Sequence, residues 1–85
     1  MKLKDYQKRL QDEFLQLNER TEKLMDFFYN HKEKELNLTQ DEVVDMRCQL
    51  YAMQAYRDAL GRRCERQGIN IPNVERYRID TDEDF

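Results

Sequence analysis

Residues 3–28, LKDYQKRLQDEFLQLNERTEKLMDFF, decide the fold. Leu3, Leu10, Leu17 and Leu24 recur every seven residues, and Phe14, Thr21 and Phe28 follow the last three of them by four. Alternating steps of three and four place these side chains on one stripe of a helix, the pattern of a heptad seam. Neither Gly nor Pro interrupts the run, and Glu19 with Lys23 supplies a correctly ordered i, i+4 pair on a charged face. Tyr6, Leu15, Met25, Phe27 and Tyr29 lie off the seam and exceed what one partner helix covers.

A second helix is announced by Leu38-Thr39-Gln40-Asp41-Glu42-Val43. Thr39 is an N-cap, Glu42 completes a capping box, and Leu38 is placed to staple against Val43. From there Val43, Met46, Leu50, Met53, Arg57, Leu60, Cys64 and Gln67 alternate by three and four up to Gly68. Gly68 suits a left-handed C-cap, with Ile69 folding back on the last turn. The expected fold is all-α: an antiparallel hairpin over residues 1–68, with helices at about 3–30 and 40–67 joined by the charged segment 31–37. Residues 69–85 form a C-terminal extension, in which Val74 to Ile79 reads as extended or as a short helix and Asp80 to Phe85 as a loose acidic tail.

With 85 residues, 39% apolar and 39% charged, one unit is expected and a second domain is excluded. Nothing approaches the roughly 20 apolar residues of a membrane span, and the opening residues lack a signal peptide's apolar run, so the chain reads as cytoplasmic. Cys48 and Cys64, sixteen residues apart on one helix, would lie about 24 Å apart and cannot bridge. With a single histidine, His31, no structural zinc site is expected, nor any other cofactor. No paired-carboxylate spacing, phosphate-cradling Gly loop or nucleophile motif is present, which argues against an enzyme.

A hairpin of this size buries little, so further burial is required. Cys48, Ala52, Ala55 and Ala59 form a second, small-residue face on the second helix and predict a homo-oligomer, with a four-helix bundle as its simplest form. The same alanines also suit a helix face turned to water. Gln7 and Thr21, polar breaks in the first seam, read as register devices.

Cation usage changes along the chain. All six lysines fall at or before Lys34, and every later cation is an arginine: Arg47, Arg57, Arg62, Arg63, Arg66, Arg76 and Arg78. Guanidinium groups make bidentate contacts to phosphate and stack on rings. From Gly61 to Arg78 five arginines face only Glu65 and Glu75, in a chain of net charge -3. Tyr51, Tyr56 and Tyr77 accompany them, an arrangement suited to a phosphate with a base or ribose. Arginines near a helix C-terminus also complement its dipole. Arg57 sits on the seam itself, where a charge needs Glu13, Glu19, a partner chain, a ligand or an escape to solvent. A sequence pI near 5.2 speaks against duplex DNA as a partner.

Asp5-Tyr6-Gln7-Lys8-Arg9-Leu10, Leu17, Arg20, Lys23-Leu24 and Phe27, followed by Gln49-Leu50, Ala52-Met53, Tyr56, Leu60 and Arg63, resemble a family of small phage and prophage helical proteins related to a crAss-like phage protein. The resemblance covers about residues 4 to 66. It implies a phage-encoded anti-defence protein that binds and sequesters a nucleotide-derived immune messenger, of the cyclic ADP-ribose or cyclic oligonucleotide type, without turnover. The expected ligand-binding residues are Arg57, Arg62, Arg63, Arg66, Tyr51 and Tyr56, with Arg47 and Tyr6 as further candidates. The alternative is a protein-interaction module that lays Leu15, Met25, Phe27 and Tyr29 on a host protein.

Overall fold

Capping chemistry fixes both ends of the second helix. The Thr39 hydroxyl accepts from the Glu42 amide at 3.2 Å while Thr39 itself stays extended, with φ -73° and ψ 162°. At the other end Gly68 takes φ +69°, the Gly68 amide donates to the Glu65 carbonyl at 3.1 Å, and the Ile69 amide donates to the Cys64 carbonyl at 2.9 Å. These are the two bonds of a Schellman motif, which satisfy carbonyls that a helix end otherwise leaves open.

The structure is a computed structural model and describes residues 3–30 and 37–77. Two α-helices, α1 (Asp5–Asn30) and α2 (Gln40–Arg66), pack against each other as a hairpin, and a 3-10 turn follows at Val74–Tyr77. The Lys4 amide donates to Gln7 Oε1 at 3.0 Å, so Gln7 closes the start of α1. Both seams face inward: Leu10, Phe14 and Thr21 are buried on α1, and Val43, Leu50, Arg57, Leu60 and Cys64 on α2. Thr21 is fully enclosed, and its hydroxyl donates to the Leu17 carbonyl one turn back at 2.7 Å, so this polar break satisfies itself within α1.

The segment after Gly68 packs back onto the helix pair. Ile69, Ile71 and Tyr77 are all buried and join Leu10, Phe14, Leu60 and Cys64 in one core, with Leu3, Leu17 and Val74 packed at its edge. Burying each such side chain contributes about 1.5–3 kcal/mol. The burial that a bare hairpin lacks is therefore supplied in part by the chain's own continuation, a strap across the end of the helix pair. Gln11 on α1 anchors it by donating to the Asn70 carbonyl at 2.8 Å. Asn73 takes φ +57°, a left-handed conformation that asparagine tolerates, and turns the strap into the 3-10 helix.

Tyr77, grouped with the arginines in the sequence reading, belongs to this core. Its ring meets Phe14 edge to face, with centroids 5.5 Å apart and planes at 81°. The ring lies so close to α2 that a Cβ at position 61 would come within 2.5 Å of it, which explains a glycine in the middle of a helix. Of the earlier expectations, His31 and the segment 31–36, with residues 78–85 and so the acidic tail, lie outside the described residues. No helix among the described residues is long and apolar enough to cross a membrane.

Candidate functional site

The heptad that builds α2 also sorts its arginines and tyrosines onto different faces. Tyr56 and Arg63 are seven residues apart, two turns of helix, and share one flank of the hairpin. The Tyr56 hydroxyl donates to the Glu13 carboxylate on α1. That bond, more than burial, raises the Tyr56 pKa, and the nearby Arg63 charge partly opposes the rise. The same flank continues to Tyr6, whose hydroxyl donates to Gln67 Oε1 at 3.3 Å, with Gln7 Nε2 donating to that oxygen at 3.5 Å. Tyr6 and Tyr56 are each 48% exposed, and the exposed Arg63 lies close enough to Tyr56 for its charge to be felt there.

Tyr51, Arg62 and Arg66 instead point away from α1, on the outer face of α2, and all three are exposed. Arg47 lies at the opposite end of α2, where its guanidinium carbon sits 5.6 Å over the Phe28 ring. This cation–π contact joins the two helices near the turn.

Arg57 occupies the seam and is only 4% exposed. Its Nη1 donates to Asn18 Oδ1 at 3.4 Å and its Nε lies 3.7 Å from Asp58 Oδ1, too far to hydrogen-bond. The acids expected to meet it are engaged elsewhere: Glu13 by Tyr56, and Glu19 by Lys23 at 2.9 Å. The buried guanidinium thus meets a counter-charge at ion-pair distance, while its Nε and Asp58 Oδ1 lack a hydrogen-bond partner.

The structure thus sets Tyr56, Arg63 and Tyr6 along one flank, leaves Tyr51 about three turns of α2 or more away from Arg62 and Arg66 on the outer side, and keeps Arg47 and Arg57 apart from both. Sequence reasoning missed Gln67 and Asn18 as partners, and neither Glu13 nor Glu19, two of the options it offered for Arg57, meets it. The spacing of 56 and 63 was the available signal, since it marks a shared face beside the seam. Among the described residues no group of histidine, cysteine, aspartate and glutamate is arranged to hold a metal. Burial raises the Cys64 thiol pKa, the opposite of what a nucleophile needs.

The sequence profile of a known family, Sequestin, matches residues 4–66. The chain belongs to the Sequestin family. The matched span coincides with α1 and α2 and stops before the strap, so the Sequestin signature resides in the helix pair. The family's name points to binding and holding rather than to turnover. No curated protein and no solved structure matches the chain.

Proposed function

We propose that this Sequestin is a phage-encoded, non-catalytic anti-defence protein that captures a nucleotide-derived immune messenger, of the cyclic ADP-ribose or cyclic oligonucleotide type, in the host cytoplasm and acts as a homo-oligomer. The observation that carries the reading is the family match over the helix pair. The flank of α2 supports it chemically. Arg63 offers a charge-assisted, bidentate contact to a phosphate, and Tyr56 and Tyr6 offer ring faces for a base or ribose. Arg57 inside the hairpin, and Tyr51, Arg62, Arg66 and Arg47 on other parts of α2, are the remaining expected ligand residues and lie outside this flank within one chain.

Native mass spectrometry of the purified chain, with a panel of cyclic ADP-ribose isomers and cyclic di- and trinucleotides, tests this reading. A discrete ligand mass in fixed ratio to subunits is expected. Arg63→Ala should weaken capture by about 10- to 100-fold, the loss of one charged hydrogen-bonding group, while helicity is kept. A chain that stays bare across the panel, or that hydrolyses the ligands steadily, overturns it. Leu15 at 38% and Tyr29 at 61% exposure favour protein docking as the second reading, under which Arg63→Ala would be silent.

A further inference from the structure

The outer face of α2 carries Asp41, Asp45, Cys48, Ala52, Ala55, Ala59, Arg62 and Arg66 in steps of four, three, four, three, four, three and four. The order of steps is the same from either end. Two acids close one end, two arginines the other, and four small residues lie between. All eight face away from the hairpin core, seven of them exposed and Ala59 half-buried. Among the described residues none of the four charged side chains is engaged in an ion pair.

We propose that this face binds a second copy of the chain, α2 against α2 and antiparallel, about a two-fold axis passing between Met53 and Gln54. In that register Asp41 comes level with the partner's Arg66, Asp45 with the partner's Arg62, Cys48 with the partner's Ala59, and Ala52 with the partner's Ala55. Two-fold symmetry repeats each pair, giving four ion pairs around a seam of small side chains that lets the helices approach to about 8 Å. A parallel arrangement would set acid against acid and arginine against arginine. The helix dipole accounts for charges in the first and last turns only, whereas Asp45 and Arg62 lie a turn further in. Within one chain Asp41 with Asp45, and Arg62 with Arg66, are like-charge i, i+4 neighbours, which disfavour the lone helix and are neutralised by the partner. Val44 and Tyr51, 47% and 57% exposed, flank the seam and gain cover from the same contact.

The inference rests on the oligomer half of the proposed function and not on the ligand half. It assigns Arg62 and Arg66 to the interface and leaves Arg63 to the ligand. Its test is run without ligand, by sedimentation over a concentration series and by disulfide trapping. In the proposed register the two Cys48 thiols stand eleven residues apart along the helices, about 16 Å, too far to bridge. Ala59→Cys places a thiol level with the partner's Cys48 and should yield a covalent dimer on mild oxidation that the unaltered chain does not. Asp41→Arg with Asp45→Arg, or Arg62→Asp with Arg66→Asp, should each weaken self-association by on the order of tenfold or more. Mixing the two variants should restore pairing. The chain with all four exchanges should self-associate again, which separates lost pairing from lost folding. A monomer at every concentration, cross-linking of the unaltered chain as readily as of Ala59→Cys, or dimers indifferent to the charge exchanges would overturn the proposal. A correctly paired dimer that binds nothing from the nucleotide panel would sink the ligand reading alone.

Discussion

The two ends of the hairpin are built from the same seam and are finished differently. At the strap end Leu10, Phe14, Leu60 and Cys64 are roofed by Ile69, Ile71 and Tyr77, and the result is one closed core. Toward the turn, Thr21, Val43 and Leu50 are buried, while Leu24, Phe28, Met46 and Met53 remain half-exposed among the described residues. Two helices cover each other along one line only, so a seam flanked by nothing stays partly wet. A third element converts it to an interior. Stability is therefore expected to be uneven, highest where the strap crosses. The flank that carries Tyr6, Tyr56 and Arg63 belongs to this better-supported end, where a binding surface gains preorganisation.

The largest effect is expected from removing the roof. Tyr77→Ala deletes a ring packed on Phe14 and leaves an empty space above Gly61, which should cost about 3–5 kcal/mol. Urea unfolding would show it as a lower midpoint, and native-state hydrogen exchange as loss of the contrast between the two ends. An unchanged midpoint would mean that the strap merely rests on the hairpin. Gly61→Ala comes next. A gain of about 1 kcal/mol in helix propensity competes with a Cβ placed 2.5 Å from the Tyr77 ring. Overpacking of that kind costs about 1–3 kcal/mol, so a net loss is expected. The double variant sharpens the point: once Tyr77→Ala has removed the ring, Gly61→Ala should become stabilising, a change of sign that independent sites cannot produce.

These two residues also mark where reading the sequence stops. Both helices, the Thr39 cap and the Gly68 to Ile69 fold-back follow from patterns spanning at most a few residues, because backbone hydrogen bonds and capping are local physics. The contact of Tyr77 with Phe14 joins distant positions and leaves no periodic trace. Its one local mark is Gly61, a poor helix former at a place where nothing local asks for it. The candidate site divides in the same way. The arginine and tyrosine content of α2 was visible, and the heptad dictated that residues 56 and 63 share a face. Which partner each cation meets depends on the relative rotation of the two helices, so the sequence left Arg57 several options, Glu13 and Glu19 among them, and did not single out Asn18 and Asp58. The requirement for extra burial was read correctly from chain length, but assigned wholly to a partner chain when the strap supplies part of it.

Smaller effects are expected at the two ends of α2, and they differ in cause. At Gly68 a Cβ meets nothing within 4 Å, so Gly68→Ala isolates the strain of a side chain at φ +69°, about 1–2 kcal/mol. Because the strap begins there, the loss should also appear as faster exchange of the Ile69 amide. Thr39→Ala removes one hydrogen bond at the turn end, about 1 kcal/mol. If the ends are energetically independent, the two losses add. Non-additivity would show that strap and turn are coupled through α2.

The smallest effect is confined to alkaline pH and again separates the ends, since among the described residues the two groups with raised pKa values lie on the strap half. Burial raises the Cys64 thiol, and the hydrogen bond to Glu13 raises the Tyr56 hydroxyl. A raised folded-state pKa means that the native chain keeps a proton which the unfolded chain has released. The corresponding stability is fully present below the unfolded-state pKa and is lost as pH rises through the raised folded value. Stability should therefore be level through neutrality and decline above about pH 9, Cys64 acting before Tyr56. Cys64→Ala should lower the neutral plateau through lost packing yet flatten the first part of the decline. Chemical denaturation between pH 7 and 11 distinguishes these shapes. Parallel curves for Cys64→Ala and the unaltered chain would place the alkaline limb on Tyr56 and the flank instead of on the roofed core.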